Sequence, residues 1–327
     1  MPSRFSFDKA LTFPFKAAHA GSFPWVFSLV FSLVGTALFL FLALMAAGDL
    51  AEVIRALEAL PNSSIDEDNP YETTSALFGT LSPLVPWAII GTVCGWIMWA
   101  IFESASQRRY IRDEGFSIRF GGDEFRMMAV GFMWSLLQMA FYLLPMMLIL
   151  GGVWDVLRLA GQDAPTSEIE AKVLTSIFGG FGIMLLLLPV YIFFATRLAP
   201  CFSLTIKERE YKFFDAWNVS RGRFWPILGA YVIIAIGGGI LVAVVEQIAQ
   251  LPLSFALAPA LEDIDSSEEF IRLYSSIGFM LPLGIYMLVR LFMSGLLMHF
   301  AAGPAAFAAR HDPRGGVDDA NRMDVFN

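Results

Sequence analysis

Residues 121–125 read Gly-Gly-Asp-Glu-Phe, two acids directly behind paired glycines. Glycines let a backbone approach a ligand closely, and neighbouring carboxylates can hold Mg²⁺ beside phosphate groups. That chemistry needs a rigid frame and further ligands close by. Other reactive residues are sparse. His19, His299 and His311 are scattered without metal-ligand spacing, and Cys94 and Cys201 make no disulfide framework. There is no Walker-type glycine loop and no nucleophile elbow. The sequence implies no cofactor and no catalytic constellation. The short basic segments have a simpler cause than nucleic-acid binding, given below.

The elements available to position the motif are greasy helices. Of 327 residues, 57% are hydrophobic and 16% are charged, against about 25% charged in soluble domains. Apolar residues come in blocks long enough to cross a bilayer core of about 30 Å. Six such blocks lie at 23–47, 83–103, 128–150, 174–196, 225–249 and 276–298. The fold class is therefore an all-α membrane protein, six transmembrane helices arranged as three hairpins. Residues 1–22 form an amphipathic arm, 23–300 the six-span domain and 301–327 a flexible tail. The first block is too long for a signal-peptide core, so it reads as a span.

Charge sorts the connecting segments. The arm, residues 104–127, residues 197–224 and the tail hold 17 of the 22 Lys and Arg. The other three connections hold 16 acids, among them the Ser64–Asn69 and Glu262–Glu269 runs. Positive charge stays on the cytoplasmic side. Both termini are thus expected in the cytoplasm of a bacterium, with the chain in the inner membrane and three acidic loops outside. This also explains the basic segments without nucleic acid. Each hairpin has a basic, aromatic lead-in, and 211–228, YKFFDAWNVSRGRFWPIL, is the clearest. It reads as an interfacial elbow helix with Phe213, Phe214 and Trp217 on one face. Arg197, Trp217, Arg221, Arg223 and Trp225 are its candidate lipid-headgroup contacts.

Gly121–Phe125 can now be weighed. The letters name the motif of the diguanylate cyclases, where it sits on a hairpin within a large soluble α/β domain. Here about two dozen residues separate two spans, with no metal-binding strand before the motif and no sheet after it. The cyclase reading is rejected. Residues 116–120 alternate like a short strand, Gly121-Gly122 turns the chain, Asp123 caps the next helix and Glu124 suits its positive N-terminus.

Polar groups inside the spans are costly and mark candidate sites. Arg290, Gln138 and Glu103 form the candidate intramembrane set. Arg290 can serve a ligand, pair with an acid such as Glu103, or snorkel to the inner headgroups. Gln138 suits an interhelical hydrogen bond. Gly91–Gly95, Gly179–Gly182 and Gly237–Gly239 thin three spans. The last of these either allows close packing or breaks the helix to line a site.

Residues 197–225 also carry a resemblance. Arg197 to Pro200 followed by Trp217 to Trp225 resembles a segment of six-span bacterial proteins similar to the membrane domain fused to some glycerophosphoryl diester phosphodiesterases. It implies a membrane module and, with no phosphodiesterase domain in this chain, no hydrolase activity. The expected function is a non-enzymatic module that binds membrane lipid, with other membrane proteins or a second copy as further partners. The alternative is a transporter or channel with a site near Arg290.

Overall fold

The computed structural model describes residues 5–16, 18–59, 78–160, 165–262 and 267–312. Among these no strand occurs, and six helices are long and apolar enough to cross a bilayer. The chain is an all-α, multi-pass membrane protein.

In chain order the helices are α1 (Phe7–Thr12), α2 (Phe23–Met45), α3 (Ala47–Ala59), α4 (Val85–Arg112), α5 (Gly122–Ala160), α6 (Thr166–Leu198), α7 (Cys201–Glu208), α8 (Ala216–Val219), α9 (Phe224–Glu262), α10 (Ser267–Tyr274) and α11 (Ile277–Arg310). The spans are α2, α4, α5, α6, α9 and α11. Five of them outrun the stretches expected from hydropathy. At about 1.5 Å per residue, the 39 residues of α5 and of α9 reach about 58 Å, well beyond a bilayer core.

Packing does not simply follow the hairpins. α5 lies along α6 and α9 along α11, but α2 packs mainly on α11 and only lightly on α4. α6 and α9 also touch lightly, which leaves a seam. The triple glycine does not interrupt α9. A Cβ on Gly238 would lie 2.5 Å from Leu297 Cδ1, so this residue is a notch that lets α9 close on α11.

Burial concentrates at the basic end, where both termini of the described chain lie. The arm folds as α1 and a 3₁₀ turn, Phe13–Phe15, and packs against α9 and α11 rather than lying free. Gly303 admits it: a Cβ there would sit 2.5–2.9 Å from the Pro14 ring. The expected tail starts inside a helix, since α11 runs to Arg310 with Ala302–Ala309 buried. Residues 313–327 lie outside the described residues, as does the Ser64–Asn69 run.

The elbow differs from expectation as well. Between Tyr211 and Arg223 only α8, a single turn, is helical, and α9 takes over from Phe224. Phe213 is buried before it while Phe214 is exposed, so the two rings do not share a face with Trp217. Residues 116–120 form no strand, because no neighbouring strand offers a ladder.

Candidate functional site

The Gly121–Phe125 carboxylates are engaged by arginines. Glu124 accepts from Gly121 N–H at 2.8 Å and pairs with Arg108, and both side chains are buried. That backward reach from the third helical position is half of a capping box. The capping role expected of Asp123 thus falls to Glu124. Asp123 instead accepts from Arg112 at 2.8 Å and Arg126 at 3.2 Å, with Arg119 3.5 Å away. The motif is a helix start tied to the end of α4.

Two of the three histidines also change meaning in the fold. His299 is fully buried; its Nδ1 is 2.8 Å from Ser106 Oγ and its Nε2 is 3.1 Å from Tyr110 Oη. The Tyr110 and His299 rings stack at 4.7 Å, and His19 packs on Tyr110. This aromatic knot joins the arm to α4 and α11. Burial first, and then the nearby Arg310, lowers the pKa of His19 to about 4 despite Asp113 at 3.7 Å.

A cavity with a few polar groups opens between α4, α5, α7, α9 and α11. Its volume is about 420 Å³, within the roughly 300–1,000 Å³ usual for small-molecule sites. Two of the three candidate intramembrane residues, Glu103 and Gln138, line it together. Gln107 Nε2 donates to Glu103 Oε1 at 2.7 Å, and Ser203 Oγ donates to Gln107 Oε1 at 2.6 Å. Gln138 donates to Tyr191 at 3.2 Å, the interhelical bond its position suggested. Three tryptophans, Trp96, Trp99 and Trp134, and Tyr231 complete the walls. Sequence reasoning passed over these rings and Gln107, although a signal existed. Trp96, Trp99, Glu103 and Gln107 recur every three or four residues, which is one face of a helix.

Arg290 is elsewhere. Its Nε lies 3.4 Å from Glu246 Oε1, and it lines neither this cavity nor the two described next. The expected grouping of Arg290 with Glu103 and Gln138 is therefore corrected. The α9–α11 packing brings a different acid to it.

The elbow residues divide likewise. Arg223 donates to Ala308 O at 3.1 Å and to His311 O at 2.6 Å, which satisfies carbonyls at the end of α11. This commitment to protein carbonyls argues against it as a headgroup ligand. Arg221 and Trp225 are exposed. Arg197 sits in an aromatic cage, with Phe193, Trp217 and Phe224 centroids 5.4–5.6 Å from its guanidinium carbon. Ser220 donates to Arg197 O at 2.8 Å, which fixes the elbow on the end of α6. The Arg197 Nε and Nη1 atoms are buried without a hydrogen-bond partner. Below them a groove of about 740 Å³ runs between α6 and α9, with Leu185, Leu188, Ile192 and Trp225 in its walls.

Set against known proteins, the chain matches no family model, no curated protein and no solved structure.

Proposed function

We propose that the chain is a membrane module with no catalytic role, which binds anionic phospholipid at its basic end, and that this end faces the cytoplasm of a bacterial inner membrane. The observation that carries the reading is Arg197. A guanidinium with two buried, unpartnered nitrogens at the head of an apolar groove is costly to leave unsatisfied. A lipid phosphate supplies the missing acceptors while its acyl chain fills the groove. The aromatic cage holds the cation by its ring faces, and Arg197 itself lines the groove from which an anion would reach it. Trp225 stands at the mouth as an amphipathic ring suited to headgroup depth.

Native mass spectrometry of the protein in mixed phosphatidylglycerol and phosphatidylcholine nanodiscs tests the binding. Retained phosphatidylglycerol should fall about tenfold in Arg197→Gln, less in Arg221→Gln, and stay constant in Arg119→Gln. Equal retention in wild type and Arg197→Gln overturns the reading. Cysteine labelling at Ser117 from either side of the membrane tests the orientation, and labelling from outside the cell overturns it.

A further inference from the structure

Glu103 is 7% exposed, and among the described residues no Lys, Arg or His comes within ion-pairing distance of it. Among the described residues its one hydrogen bond comes from Gln107, whose amide is fixed by Ser203 and brings no charge. A carboxylate held inside a bundle without a counter-charge is expensive. The walls around it are aromatic. Trp96, Trp99, Trp134 and Tyr231 present rings whose faces attract cations. A metal ion would want several oxygen ligands, whereas one carboxylate among indoles suits a diffuse organic cation.

A second cavity of about 390 Å³ adjoins it, and the two share Trp134, Ala199, Phe202 and Tyr231. There the lining turns largely aliphatic, with Ile192, Ala195, Leu228, Val232 and Ala235 at the α6–α9 seam. Ile192 and Leu228 also line the outer groove below Arg197. The lightly packed seam thus has apolar lining from the bilayer face of the bundle to a buried acid.

We propose that this pair of cavities binds an ammonium-bearing amphiphile, with its cationic head on Glu103 and its alkyl chain at the α6–α9 seam. Head and tail chemistries match the two linings in order. The inference does not depend on phosphate binding at Arg197, since the two sites share no polar group.

Calorimetry on the detergent-purified full chain tests it with three probes: choline, its neutral isostere 3,3-dimethylbutan-1-ol, and hexyltrimethylammonium. Choline should bind saturably and the neutral alcohol about tenfold more weakly or worse. Hexyltrimethylammonium should bind about tenfold more tightly than choline through its added methylenes. Glu103→Gln, which keeps an acceptor for Gln107, should cost both cations about tenfold with an unchanged melting temperature. Ala235→Phe should remove the gain from the tail and spare choline. Arg197→Gln should leave all three probes unaffected, which separates this site from the phosphate site. The proposal is overturned by absence of saturable binding to wild type, by equal binding of the neutral isostere, or by undiminished binding to Glu103→Gln.

Discussion

Arg108 and Glu124 meet across the turn between the second and third spans, each with 1% of its side chain exposed, Arg108 Nη1 donating to Glu124 Oε1. Sixteen residues separate them in sequence. The carboxylate has two tasks, since its other oxygen holds the Gly121 N–H that starts α5. Breaking a buried pair by removing one partner costs about 3–5 kcal/mol, because the survivor stays charged and desolvated. Glu114 at 3.6 Å and Asp123 at 4.0 Å also face Arg108 and soften the loss. Glu124→Gln should therefore destabilise by about 3 kcal/mol, and Arg108→Met/Glu124→Gln by less. Thermal unfolding of the two variants in detergent measures the difference. Equal melting of wild type and Glu124→Gln would remove the pair from the stability account.

How much of this was legible in the sequence depends on which neighbours matter. The six spans were, because block hydropathy is a property of one helix at a time. Their ends were not. Ser104, Ser106, Gln107 and Arg108 read as a polar loop, yet they continue α4 and are buried against other helices. Polarity marks the edge of a bilayer only where a residue faces lipid or water. The same limit governs the site. Glu103 and Gln138 stood out as polar groups in apolar runs, and their shared cavity follows. Arg290 stood out equally, but its partner is set by the pairing of α9 with α11, which no local pattern encodes. Arg223 looked like an anchor for phosphates because its target, the end of α11, is distant in sequence.

His19 supplies a pH dependence whose sign is fixed by its surroundings. The folded pKa, about 4, lies below the ordinary 6.5, so the unfolded chain binds this proton more readily. The stability it contributes is complete above pH of about 6.5 and is lost as pH falls from there toward about 4, where the folded state also protonates. The full loss is on the order of 3 kcal/mol. Melting temperature should drop between those limits in wild type and drop less in His19→Gln. Identical profiles for the two proteins would assign the acid sensitivity elsewhere.

The seating of the arm can be tested at one atom. Gly303 lies against the Pro14 ring, a rigid neighbour that cannot rotate away from an added methyl group. Gly303→Ala should displace the arm from α11 and open the knot formed by Phe13, His19 and Tyr110. Overpacking of this kind costs about 1–3 kcal/mol. Limited proteolysis should then cleave near residues 5–16 faster than in wild type, with the spans intact. Unchanged cleavage would mean the arm is held independently of this contact.

Arg290 and Glu246 give the last prediction, which turns on where a charge stands when its partner is gone. The pair is only partly covered by protein, with half of the Arg290 side chain exposed on the bundle. In water such a pair would contribute little. On a helix face turned toward hydrocarbon, a lone charged residue costs roughly 2.5–3.5 kcal/mol at mid-span. Arg290→Leu leaves Glu246 alone, and Glu246→Gln leaves Arg290 alone, but arginine has the longer stem and can reach an interface. The order of folded yield should therefore be wild type, then Arg290→Leu/Glu246→Gln, then Glu246→Gln, with Arg290→Leu lowest. Size-exclusion chromatography of detergent extracts reads this order directly. If the double variant loses as much as the two single variants added together, the two residues act independently and the 3.4 Å approach carries no coupling energy.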